Sequence, residues 1–203
     1  MLKNKLGRRR KGSSLKELLL LLALKLEGPI GRYRLKDILD LSEHEGIVRL
    51  MLSRLQSNGS ISTSKIGCSL KKKGFSHLRD LLKNYCILDV KHLDVGSLTK
   101  APHNAVAHIK AGANKAVSIV RHRDAAVRVG AEGATIVFFN NGILTVPNVY
   151  EDLLTTYPEI ANLLIQSFHP EDGDAFIIGF SNNKWKALEG ALAASISLQN
   201  NFR

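Results

Sequence analysis

The chain has 203 residues, with 29 Lys+Arg against 18 Asp+Glu, a formal net charge of +11. Its 44% apolar share supports a packed core and excludes a chain disordered throughout. Two cysteines, Cys68 and Cys86, exclude a disulfide framework, and zinc-finger spacing is absent.

The charge is uneven. Residues 1–85 carry 19 Lys/Arg and 7 Asp/Glu, a net +12, whereas residues 86–203 carry 10 and 11, a net −1. This asymmetry predicts two domains with different surface tasks. A strongly basic half points to a polyanion, with nucleic acid the default and an anionic membrane surface the rival.

In chain order, residues 1–12 form a basic arm with Lys3, Lys5, Arg8, Arg9, Arg10 and Lys11 and no acidic residue. Ser14-Leu15-Lys16-Glu17 reads as a capping box opening a helix to about Leu26, closed by Gly28-Pro29. The leucine run 18–24 is too short to span a bilayer, and the charges of Lys16, Glu17, Lys25 and Glu27 flank it. It is expected to be a buried helix of a soluble, cytoplasmic protein with no membrane partner. A short helix follows at 33–39. Ser42-Glu43-His44-Glu45 reads as a second capping box, opening a helix to Ser57 that Asn58-Gly59 ends. Val48, Met51, Leu52 and Leu55 form its apolar stripe. Residues 60–64 and 65–70 alternate as two short strands. Lys71-Lys72-Lys73-Gly74 then leads into a helix with Phe75, Leu78, Leu81 and Leu82 on one face.

The second half alternates strands and helices: strands at 86–95 and 105–110, a helix at 117–129, and a hairpin of 134–140 and 143–146 turning at Asn140-Asn141-Gly142. Helices at 151–157 and 158–167, a strand at 174–180 and an Ala/Leu-rich helix at 184–198 complete it. That order predicts a small mixed sheet with helices on one face. The expected architecture is therefore two-domain α+β and α/β: the arm 1–12, a winged helix-turn-helix at 13–85, and an α/β domain at 86–203 for sensing or dimerisation.

Leu55-Gln56-Ser57-Asn58-Gly59-Ser60-Ile61 resembles the recognition-helix end of archaeal and bacterial winged-helix regulators. Ser69-Leu70-Lys71-Lys72-Lys73-Gly74 is similar to the Leu-Thr-x-x-Gly lead-in to their post-wing helix. The second half, through Arg123-Asp124-Ala125-Ala126, Val129-Gly130-Ala131-Glu132-Gly133-Ala134-Thr135 and Glu171-Asp172-Gly173-Asp174, resembles archaeal transcriptional regulators whose winged helix precedes a domain of unknown function. The resemblance implies a regulator and carries no activity for that domain.

A helix in the major groove, with wing and arm on phosphates, gives double-stranded DNA as the expected partner. Phosphate candidates are Arg8, Arg9, Arg10, Lys11, Arg32, Arg34, Lys65, Lys71, Lys72 and Lys73; Arg49, Ser53 and Arg54 are the donors on the third helix. Glu43 and Glu45 at that helix's start would repel phosphates if they faced DNA. In the second half Arg123, Asp124, Gly130, Gly133, Asp172 and Asp174 are candidate ligand contacts for a small-molecule effector, with turns and caps the plainer reading of the glycines and of Asp172-Gly173-Asp174. His103 and His108 come closest to metal-ligand spacing, which no histidine pair meets. No nucleophile elbow, phosphate loop or paired carboxylates appear, so neither enzyme nor cofactor nor metal is expected. Two-fold operators suggest a homodimer, through the leucine-rich first helix or the last helix, where the lone Trp185 reads as core or dimer contact. The alternatives are a small α/β enzyme with a regulatory winged helix, and a winged helix that docks protein.

Overall fold

The computed structural model describes residues 11–112 and 119–199. The chain divides into two compact units, residues 1–78 and 79–203.

In the first unit, α1 (Lys11–Glu27), α2 (Arg32–Ile38) and α3 (Glu45–Ser57) are followed by β1 (Ile61–Ser64), β2 (Gly67–Leu70) and the start of α4 (Lys72–Asn84). The side chains from Leu18 to Leu24 are all buried, along with Leu35, Ile38, Val48, Leu52, Leu55, Ile61 and Leu78. Both expected capping boxes fail. Helix α1 begins three residues before Ser14, and Glu17 pairs with His77 Nε2 at 3.3 Å. Helix α3 begins at Glu45 with His44 as its N-cap and no side-chain cap bond, because Glu45 is drawn to arginines instead. Its C-terminus is closed by Gly59 at φ +77° while Asn58 stays right-handed: Gly59 N donates to Gln56 O and Ser60 N to Leu55 O, at 2.9 and 2.8 Å. Phe75, expected on the buried face of α4, is exposed, whereas Leu78, Leu81 and Leu82 are buried.

Strands β1 and β2 pair antiparallel, Ser64 opposite Gly67, so the turn is Lys65-Ile66. Ile30 and Cys68 exchange backbone hydrogen bonds of 3.0 and 2.9 Å, adding a third short element to the hairpin. Gly67 has φ +133°, and a Cβ there would sit 2.5 Å from the Ile30 carbonyl carbon. Only glycine lets the hairpin lie this close to residues 30–31.

The second unit is built on a five-stranded sheet of β3 (Ile87–His92), β4 (His103–Ile109), β5 (Gly133–Asn140), β6 (Ile143–Thr145) and β7 (Ala175–Ser181), in the order β3-β4-β7-β5-β6. Every pairing is antiparallel, in place of the expected mixed sheet. The reason is topological. Strands β4 and β5, joined through α5 (Ile119–Val127), run parallel, and β7 inserts between them. Helices cover both faces, not one. Helices α5 and α8 (Lys184–Gln199) pack on one, where Gly179 brings β7 so close to α8 that a Cβ would meet Ala187 O at 2.3 Å and Ala191 N at 2.4 Å. On the other, Val106, Val137, Phe176 and Ile178 form a core with Leu153 of α6 (Leu153–Thr156) and Ile160, Leu164 and Phe168 of α7 (Pro158–Phe168). With both faces covered, β7 reads as an unbroken apolar run.

Helices α1 and α8, the expected dimer surfaces, already bury most of their apolar side chains within the chain, Leu26 being exposed, and Trp185 is core, edge-on to His92. Among the described residues no helix is long and apolar enough to cross a membrane.

Candidate nucleic-acid interface

Helix α3 and the β1–β2 hairpin enclose a groove of about 450 Å³ in the first unit. Arg49 and Ser53 line it, one turn of helix apart, with Arg32 and Tyr33 from the start of α2 and Thr63, Lys65 and Ile66 from the hairpin. The hairpin is seated against α3 by Thr63 Oγ1 donating to Gln56 Oε1 at 3.4 Å. Gln56, at i+7 from Arg49 and i+3 from Ser53, continues the same stripe and also lines the groove. That spacing is the signal by which the sequence alone would reveal it. Tyr33 has no comparable signal, and its exposed ring lies 5.3 Å from the Arg32 guanidinium and 5.8 Å from Lys36 Nζ.

Glu45 organises the charge here. Its Oε1 accepts a hydrogen bond from Arg49 Nη2 at 3.0 Å and lies 3.2 Å from Arg32 Nη2. The hydrogen bond and charge of Arg49, then the charge of Arg32, hold the Glu45 carboxyl below the ordinary glutamate range. The three side chains together carry one net positive charge, with Arg49 preset one turn from Ser53.

The other basic candidates are dispersed. Arg34 pairs with Glu27 at the end of α1 and does not line the groove. Arg54 is exposed outside it. Lys71, Lys72 and Lys73 stand exposed where the hairpin's base meets α4, at the end opposite the Lys65-Ile66 turn; Lys71 N donates to Ser60 O at 2.9 Å. Arg8, Arg9 and Arg10 lie outside the described residues, and Lys11 is the first residue of α1.

The second-unit candidates divide differently. Arg123 and Asp124 are exposed on α5. Gly130, at φ +88°, turns the chain after α5, and Lys186 Nζ fills the turn by donating to Val129 O at 2.8 Å. A Cβ on Gly133 would lie 2.6 Å from the Phe180 ring, so its space belongs to core packing. Asp172 accepts from Asn141 N, and Asp174 accepts from Ala111 N, Glu171 N and His108. Both aspartates thus tie loops together, and no group of three His, Cys, Asp or Glu among the described residues is placed to hold a metal. His103 and His108 project to opposite faces of β4.

A family model described as a domain of unknown function, DUF4443, matches residues 101–198. No curated protein matches the chain. Among solved structures, the chain is similar to a hypothetical protein from Pyrococcus horikoshii OT3, with a TM-score of 0.67 and 25% identity over 92% of this chain and 94% of that one.

Proposed function

We propose that the first unit is a winged helix-turn-helix binding double-stranded DNA, and that the chain is a transcriptional regulator acting by binding rather than by catalysis. In this reading α3 enters the major groove, which admits one helix, and the Lys65-Ile66 turn is the wing on the adjacent backbone. The observation that carries it is the groove between α3 and the hairpin, where Arg32, Arg49 and Lys65 converge with the neutral donors Ser53, Thr63 and Gln56. Arginine and lysine supply the phosphate contacts; Arg49, Ser53 and Gln56 are the side chains that reach base edges. With so few donors on α3, much of the affinity comes from backbone contacts, including those of the arm.

The test is binding of the full chain to a random-sequence duplex across salt, repeated with Arg49→Ala, with Lys65→Ala and with residues 1–10 removed. Each alanine is expected to flatten the slope of log affinity against log salt by about one unit. Unchanged slopes in all three variants would remove this face from the interface.

A second reading has one observation in its favour. Tyr33, Ile47, Leu50 and Ile66 are large, apolar and exposed on or beside this face, at 66%, 46%, 52% and 74%. A winged helix that docks a protein would use them, and would show little salt-sensitive affinity for DNA. The second unit is assigned to effector sensing or to dimerisation through a surface other than α1 and α8.

A further inference from the structure

We propose that a cleft in the second unit, independent of what the first unit binds, is a site for a small zwitterion of the amino-acid class. Its ammonium donates to His108 Nδ1 and its carboxylate meets Lys110. The cleft, of about 330 Å³, lies beside the C-terminus of α7 and is lined by His108, Lys110, Asp89, His169 and Glu171, with Phe168 and Asp174 at its wall. That volume is at the small end of ligand pockets, room for a metabolite and not for a nucleotide cofactor.

His108 is the fixed point of the cleft. It is 4% exposed, and its Nε2 lies 2.8 Å from Asp174 Oδ2. Asp174, 2% exposed, also accepts from Ala111 N on Oδ1 at 2.9 Å and from Glu171 N on Oδ2 at 3.0 Å. A carboxylate with these partners only accepts, so Nε2 carries a proton, and with that tautomer Nδ1 is the acceptor on the other side of the ring. Phe168 and Phe176 flank the ring at centroid distances of 5.6 and 5.1 Å and hold its orientation. Nδ1 has no partner among the described residues and is not sealed from the cleft. Closing loops accounts for the Nε2 side of this pair. It does not account for a fixed acceptor on the cleft side of the ring, which can take an N–H or O–H from a ligand in place of water.

The rim then selects the ligand. Asp89 stands opposite His108 in the β3–β4 register, beside a bulge at Leu88. Lys110 and Glu171 face each other at 3.6 Å, both well exposed, so water screens the pair and parting it costs little. A lone anion would meet Glu171 and Asp89, the latter 3.5 Å from Lys91 Nζ, and a lone cation would meet Lys110. A molecule carrying both charges satisfies both signs and supplies the N–H that Nδ1 lacks.

The full chain is screened by thermal shift and calorimetry against the twenty common L-amino acids at millimolar concentration, pH 7.5. At least one is expected to raise the midpoint, because a ligand of the folded form must do so. Its methyl ester and its deaminated analogue are expected to bind at least about tenfold more weakly, and so are the variants Lys110→Ala and Glu171→Ala. Both substitutions are at exposed positions and leave the ligand-free midpoint in place. Histidine ¹⁵N spectra should show the Nε2–H tautomer at His108 and a change at Nδ1 on addition of the bound amino acid. The proposal is overturned if no amino acid raises the midpoint. It is overturned equally if binding survives both variants with the His108 spectrum unchanged. Neither result bears on whether the first unit binds DNA.

Discussion

Glu45 sets the availability of two arginines. It holds Arg49 at 3.0 Å and Arg32 at 3.2 Å, so in the proposed DNA complex phosphates would compete with it for both. Glu45→Gln keeps the shape and removes the competing charge, so affinity for random duplex DNA is expected to rise by at least about threefold and the salt slope to steepen. Gel-shift titration of the two proteins at several salt concentrations checks this; weaker binding by the variant would show that Glu45 positions the arginines more than it restrains them. A second residue reports on pH. His122 is fully buried between α5 and α8, its Nδ1 2.6 Å from Ser197 Oγ and its Nε2 without a partner among the described residues. Burial first, and the charge of Arg121 second, push its pKa below the ordinary 6.5. The folded chain thus keeps the ring neutral while the unfolded chain protonates it, and this contribution to stability is complete above pH 6.5 and lost as pH falls below it. The melting midpoint should decline from pH 7.5 to 5, and His122→Gln should decline less steeply. Parallel curves for the two proteins would assign the acid sensitivity elsewhere.

Element by element, local pattern predicted far more than cross-chain pairing did. The apolar stripe of α3, the Asn141-Gly142 turn and the leucine run of α1 are short-range features, and each lies where its spacing placed it. The capping boxes failed because Glu17 and Glu45 found partners elsewhere, in His77 and in Arg32 and Arg49. Placing β7 between β4 and β5 depends on pairings 37 or more residues apart, such as Phe138 with Ala175, and no local pattern encodes them. His108 with Asp174 belongs to the same class, which is why a residue that read as one half of a weak metal pair is instead fixed by a distant carboxylate. Two elements yield predictions. Lys72 and Lys73 open α4, where the helix dipole disfavours positive charge, so their conversion to Ala should raise the melting midpoint by about 1–3 °C while weakening DNA binding for all sequences alike. Stability and binding moving in the same direction would contradict that trade. Gly179→Ala forces a methyl group against the backbone of α8, and should cost about 3 kcal/mol or more, seen as a fall of roughly 10 °C in the midpoint. An unchanged midpoint would mean that α8 is free to move away from the sheet.

Over the whole molecule, the division at residues 78 and 79 sharpens the charge asymmetry. The first unit has 17 Lys/Arg and 6 Asp/Glu, a net +11, and the second has 12 of each, a net of zero. The entire excess of positive charge therefore sits on the unit that carries the α3–hairpin groove, and the neutral unit offers a cleft with both signs on its rim. Composition pointed to a polyanion before any fold was known; the groove, where the Ile30–Cys68 bridge brings residues 30–33 to the hairpin beside α3, was legible only in its α3 residues and in Arg32 and Lys65. The central claim is that this unit engages duplex DNA through its phosphates, and equilibrium binding of the full chain to a random-sequence duplex from low to high salt tests it most directly. Log affinity is expected to fall linearly with log salt, with a slope of about −4 or steeper. A slope near zero, or no binding at low salt, would contradict it.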